Sequence, residues 1–247
     1  MWNLKTISLS LKIKRKFQIF FYSLFNKVNN SPLLLRIING ASWIILGTVI
    51  SKLLLLIASI VVVRILGKVT YGELGILRST INSFAMIATM GLGITATKYI
   101  AENLIKAKNK IGEIIGFTIT LSFVFSLIIS LFLILFSKQI ALIINSPQLI
   151  NEVKISALII FFVSMNGSQV GILAGFEKFK IIAKGTLLGA LFCVITQIIG
   201  AYLYGVIGTL IGFGINYLII YIYFDFQIKK LCREKQIVII YNKIKKH

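Results

Sequence analysis

The sequence predicts an all-α fold, a polytopic membrane bundle of six transmembrane helices. Three observations predict it. First, the 247 residues are 57% hydrophobic with a mean hydropathy of +0.93, against roughly 45–50% apolar residues in a soluble domain. A soluble core of this size could not bury that surplus. Second, long apolar runs recur. The clearest is ASWIILGTVISKLLLLIASIVVV, residues 41–63, which as a helix reaches about 34 Å, enough to cross a hydrocarbon layer of roughly 30 Å. Third, 27 Lys and Arg stand against 7 Asp and Glu, and the basic residues gather between the apolar runs.

Residues 1–30 hold Lys5, Lys12, Lys14, Arg15, Lys16 and Lys27, with Phe17, Phe20, Phe21, Leu24 and Val28 at helical spacing. This reads as a basic amphipathic leader on an anionic membrane face, or as a disordered basic leader. No small-residue cleavage site follows, which excludes a signal peptide. Ser31-Pro32 has the form of a helix N-cap with proline in the first turn. The lobe proper is expected over 31–225, and 226–247 is expected to be a basic tail. Within the lobe the spans fall at 41–63, 76–97, 114–136, about 155–174, about 185–204 and about 206–224. RILGKVTYGELG, residues 64–75, reads as a turn, 98–113 and 175–184 as basic loops, and 137–154 as a loop with a cap at Asn145-Ser146-Pro147. A very tight turn is expected at Gly205.

Six spans put both termini on one side. Five basic residues, Arg64, Lys68, Arg78, Lys138 and Lys154, then fall on the opposite side, and Lys52 lies within a span. That leaves 21 of the 27 with the termini, which places the termini in the cytoplasm. A +20 chain could suggest nucleic acid, but a basic stripe is absent and the loops account for the charge, so no nucleic-acid partner is expected. His247 is the one histidine, and Cys193 and Cys232 are the two cysteines. That composition excludes a histidine-based triad and a Cys/His metal site. No cofactor is expected.

Helix contacts in lipid need small side chains. They recur every three or four residues: Gly75, Ser79 and Ser83; Gly112, Gly116 and Thr120; Ser122, Ser126 and Ser130; Ser164, Ser168, Gly171 and Gly175; Gly185, Gly189 and Cys193; Gly208, Gly212 and Asn216. The amides Asn82, Asn166, Gln169, Gln197 and Asn216 lie within apolar spans. They serve as interhelical hydrogen bonds or as the lining of a hydrated cavity. Lys52 is the sharpest candidate, a cation near the middle of a span with Thr48 and Ser59 on its face. No carboxylate lies within a span core to pair with it, which argues for a watery cavity or an anionic ligand.

NGASWIILGTVISK (39–52), VVVRILGKVTYGELGI (61–76), GLGITATKYIAE (91–102) and AGFEKFKIIAK (174–184) together resemble the polysaccharide-biosynthesis flippases, the oligosaccharide exporters of the multidrug/oligosaccharidyl-lipid/polysaccharide superfamily. The resemblance runs from about residue 31 to 225. It implies transport of an undecaprenyl-diphosphate-linked sugar intermediate across a bacterial or archaeal cytoplasmic membrane. The implied partners are membrane lipid and the lipid-linked glycan, around a cavity between two helical lobes that is often cationic. Lys52 matches the place where the first helix can present a basic residue to that cavity. Arg64, Gly67, Tyr71 and Gly72 match the turn after it, and Gly91, Gly93 and Tyr99 the end of the second helix. Members usually have twelve to fourteen spans, so the resemblance is to the N-terminal lobe alone. A truncated reading frame is the expectation, and a homodimer or separate second lobe the alternative. The competing reading is a non-transporting scaffold of a glycan-assembly complex. A membrane enzyme is disfavoured, because no acidic cluster could hold a metal–diphosphate.

Overall fold

A computed structural model describes residues 32–241, apart from the side chains of 32–39, 41, 105, 106 and 108. The leader at 1–30, Ser31 and the last six residues lie outside the described residues. Two compact units divide the chain at 43/44. Within the first, the described residues are the opening turns of a helix that starts at Pro32. The second unit begins at Ile44 within the same helix.

The described residues form seven α-helices: α1 Pro32–Leu66, α2 Lys68–Thr89, α3 Leu92–Lys106, α4 Ile111–Leu135, α5 Ser137–Ile143, α6 Ile150–Gly175 and α7 Phe179–Glu234. Four segments are long and apolar enough to cross a membrane, and α2 with α3 makes a fifth if the pair, bent by 44°, is one span. The expected count of six is not reached by that measure. The 56-residue α7, however, folds back on itself. Tyr204 and Gly205 leave helical geometry, with Gly205 at φ 58° and ψ −131°, a region open to glycine and costly for other residues. A Cβ at Gly200 would collide with the Gly208 carbonyl, and one at Gly212 would meet the backbone of Thr196 and Gln197. The two arms, 179–203 and 206–234, therefore run antiparallel with their backbones in contact, as the tight turn predicted at Gly205 requires.

Four sequence expectations are corrected, one of them the basic loop expected at 175–184, which shrinks to 176–178 between α6 and α7. The turn expected over 64–75 shrinks to Gly67 (φ 82°), and helix α2 already begins at Lys68. Glycines at 72 and 75 do not break it, because neither has positive φ. The basic loop expected at 98–113 is largely helix, since α3 runs to Lys106. The 137–154 loop contains α5 and the start of α6. Ser146 does not cap there with its side chain; its Oγ donates to the Ile144 carbonyl. The span expected at 76–97 is broken at Gly91. Met90 and Gly91 are both left-handed, and the chain bends there.

Helix α6 is the axis of the bundle. Its apolar window is 61% buried, against 17–28% for the other candidate spans. Its sequence explains this, because small or amide side chains occur on every face and let neighbours approach from all sides. Gly171 meets the backbone of Gly93 on α3, and Gly175 meets Ile100. Thr97 fastens that junction, its hydroxyl within 2.9 Å of both the Gly93 and Gly171 carbonyls. Ser168 bonds Ser122 of α4, and Ser130 donates to the Ala157 carbonyl at 2.7 Å. The 164–175 set expected on one stripe thus serves two different neighbours.

Two apolar clusters lie along this axis. One gathers Leu74, Leu77 and Ile81 of α2, Val153 and Ile160 of α6, and Leu210 of α7. The other gathers Ile100, Ile111, Ile115, Ile172, Phe224 and Ile228. By contrast α1 leaves Ile45, Leu46, Leu53, Leu56 and Ile57 exposed, on the side of the helix that also carries Lys52. The set Gly75, Ser79 and Ser83 is exposed too, and no atom lies within 4 Å of where a Cβ at Gly72 or Gly75 would sit.

Candidate functional site

Polar side chains lie buried along α4, α6 and the arms of α7, and others reach them half-buried from α2. The most consequential is Arg78, at the middle of α2. Helical spacing puts Leu74, Leu77, Ile81, Ala85 and Ala88 on the buried stripe of α2, and Arg78 stands at the edge of that stripe, four residues beyond Leu74. Its guanidinium Nη2 donates to Gln197 Oε1 at 2.5 Å, and its Cζ lies 5.1 Å from the centre of the Phe213 ring. Gln197 Nε2 is turned to Cys193 Sγ at 2.6 Å. One cation is thus held by both arms of α7: by an amide from the first and an aromatic face from the second. No carboxylate among the described residues pairs with it, and its Nε is buried without a partner. A half-buried guanidinium that keeps unused donors can bind an anion bidentately. The span expected at 76–97 puts Arg78 at its outer end, among the charges opposite the termini, whereas the helix over Lys68–Thr89 puts it at mid-helix. The outer placement came from taking 64–75 as a turn.

Two of the other amides bind backbone. Asn166 Nδ2 donates to the Tyr217 carbonyl at 2.9 Å, and Gln169 Nε2 to the Tyr221 carbonyl at 3.2 Å. These two bonds, one helical turn apart, zip α6 to the second arm of α7. The carbonyl oxygens of Asn166, Gln169 and Asn216 are buried without a partner, and Asn216 Oδ1 sits where a Cβ on Gly189 would go. Four of the five amides therefore lie in the interior, Asn166, Gln169, Gln197 and Asn216, while Asn82 is exposed.

Thr48 and Lys52 are exposed on α1, and Ser59 is half-buried. Lys52 makes no ion pair among the described residues. The structure thus separates the expected constellation into an interior amide group with Arg78 and an outward group of Thr48, Lys52 and Asn82. Of the motif positions, Arg64, Gly67, Gly72 and Gly91 are exposed. Tyr71 packs against the first apolar cluster, Gly93 forms the close contact with α6, and Tyr99 is exposed with Lys98 Nζ 5.8 Å from its ring centre. Sequence reasoning also missed Phe213, whose role needs Arg78 to be known first.

A family model described as polysaccharide biosynthesis protein matches residues 37–242. No curated protein and no solved structure matches the chain. The matched stretch takes in every candidate membrane span among the described residues, and the chain belongs to the polysaccharide biosynthesis protein family of membrane proteins.

Proposed function

We propose that the chain is one lobe of a membrane exporter that carries a lipid-linked oligosaccharide intermediate across the cytoplasmic membrane, a transporter and not an enzyme. The observation that carries the reading is the mid-helix guanidinium of Arg78, fixed by Gln197 and Phe213 and lacking a carboxylate, in a chain of this family. Charge within a span is costly and marks a path for ligands more often than a packing device. A lipid diphosphate or an acidic sugar is the anion such a group would meet. Thr48, Lys52, Ser59 and Asn82 are proposed to line the outer part of the same path, and Asn166, Gln169, Gln197 and Asn216 its inner wall. The motif residues Arg64, Gly67, Tyr71, Gly72, Gly91, Gly93 and Tyr99 shape its ends. A second lobe or a second copy completes the path.

Six crossings are part of this proposal: α1, the bent α2–α3 pair, α4, α6 and the two arms of α7. Both termini then face the cytoplasm, as the distribution of Lys and Arg favours. Asn109 and Asn145 are both exposed and test it. With a cysteine placed at each position in turn, an impermeant thiol reagent added outside whole cells is expected to label Asn145→Cys and spare Asn109→Cys. The reverse pattern would overturn the topology.

Export itself is tested by expressing these residues with a complete second lobe in a strain that lacks its own flippase. Surface glycan is expected to return, and the 247 residues alone are expected to fail. Lys52→Leu should leave membrane abundance unchanged, because Lys52 is exposed and unpaired among the described residues, and should weaken binding of the lipid-linked substrate about tenfold or more through loss of a charge-assisted contact. Equal binding at equal abundance removes Lys52 from the path.

The scaffold reading is favoured by one observation, the open Gly72, Gly75, Ser79 and Ser83 face of α2. It predicts that bulky substitutions there abolish glycan assembly while substrate binding persists.

A further inference from the structure

The Gly112–Gly116 spacing on α4 has the form of a helix-packing motif, yet among the described residues the atoms nearest it belong to no helix. Its occupant is extended chain. Helix α7 ends at Glu234, and Gln236 turns left-handed at φ 57°. The Ile237 amide then closes on the Cys232 carbonyl at 2.8 Å, and residues 237–241 run back along α4. The Ile240 amide donates to the Gly112 carbonyl at 3.2 Å. A Cβ on Gly112 would strike the Val238 carbonyl, and one on Gly116 the Ile240 carbonyl. The side chains alternate as a strand requires. Ile237 and Ile239 pack into the cluster of Ile111, Ile115, Leu231 and Cys232, while Val238 is 77% exposed.

We propose that the Gly112/Gly116 face of α4 is a docking groove for an extended apolar strand, filled in cis by residues 237–241, and that this strand is a releasable clamp tying α4 to the second arm of α7. The proposal is independent of the export reading. Two features make the strand releasable. A single inter-segment backbone bond, Ile240 to Gly112, holds it among the described residues, whereas a lipid-facing extended segment would need all its backbone groups paired. A non-glycine residue also sits in the left-handed region at the hinge, which costs free energy. Cys232, near the end of the second arm and in the cluster that Ile237 and Ile239 pack against, is a buried thiol that reports release.

The test follows alkylation of Cys232 by N-ethylmaleimide in the full chain in membranes, quantified by mass spectrometry of the peptide that holds it, with buried Cys193 in the same digest as the reference for global opening. Gly112→Leu should expel the strand and speed Cys232 modification about tenfold, with Cys193 unchanged. Gln236→Gly removes the hinge strain and should slow it roughly threefold to fivefold, which keeps the test decisive if Gly112→Leu does not fold. A photo-crosslinking amino acid at position 240 should attach to residues 109–120 of the same chain. An unchanged or faster rate in Gln236→Gly overturns the clamp, and so does crosslinking between two chains, which would mean that the groove takes its strand from a second copy.

Discussion

Gly171→Leu is expected to destabilise the lobe by on the order of 3 kcal/mol, the largest effect of any substitution argued for its packing. At Gly171 the backbones of α3 and α6 touch. A Cβ there would collide with the Gly93 carbonyl and Cα, which cannot swing aside as a side-chain terminus can. The Thr97 hydroxyl bridges the two carbonyls only while the helices stay that close, so separating them loses its interhelical bond as well as the packing. Lipid offers no compensating hydrophobic drive to hold the pair together. Gly72→Leu is the control. Nothing lies within 4 Å of its Cβ position, and its φ is not positive. It should be neutral within about 0.5 kcal/mol or gain slightly in helix propensity. Thermal unfolding in detergent, followed by loss of the monodisperse peak, separates the two. Equal midpoints would mean that α3 and α6 do not approach as described.

The comparison of these two glycines also shows what a sequence can reveal about such a bundle. Spacing by three or four residues identified the small residues that face neighbours on α6 and α7. It could not distinguish Gly171, pressed on a backbone, from Gly75, open to its surroundings, because both stand in the same kind of repeat. The fold-back at Gly205 was legible because one glycine joined two full-length apolar runs. The helical 68–75 segment was not, since Gly67, Gly72 and Gly75 look alike as punctuation and only Gly67 takes a positive φ. Arg78 was lost with it. A residue placed two positions into a span reads as an interfacial anchor, while the same residue ten positions into α2 is an interior cation. Hydropathy placed all five amides within apolar spans but could not tell the exposed Asn82 from the four buried ones, and the partners of Asn166 and Gln169, the carbonyls of Tyr217 and Tyr221, belong to a helix face that periodicity does not assign.

Arg78→Leu is expected to divide stability from function in a way that tests the proposed site. On insertion scales, removing arginine from a helix centre gains about 2.5–3.5 kcal/mol, so membrane abundance should hold or rise. Within the folded lobe the sign reverses. Gln197, 2% exposed, would keep a buried Oε1 without a donor, at a cost of about 1–3 kcal/mol, and the Phe213 stacking would be lost. Adding Gln197→Leu removes the stranded oxygen, so the double variant should recover most of that loss, and a double-mutant cycle measures the coupling. Recovery of fold should not bring recovery of function. If Arg78 meets an anionic lipid headgroup, the double variant binds substrate at least tenfold more weakly than the parent although its melting temperature is restored. Arg78→Lys keeps the charge but loses the planar face over Phe213, so it should fall between the parent and the double variant in binding. Two results would sink the assignment. If the double variant regains stability and binding together, Arg78 is a packing device. If Arg78→Leu leaves stability unchanged, the contact with Gln197 does not hold α2 to the hairpin.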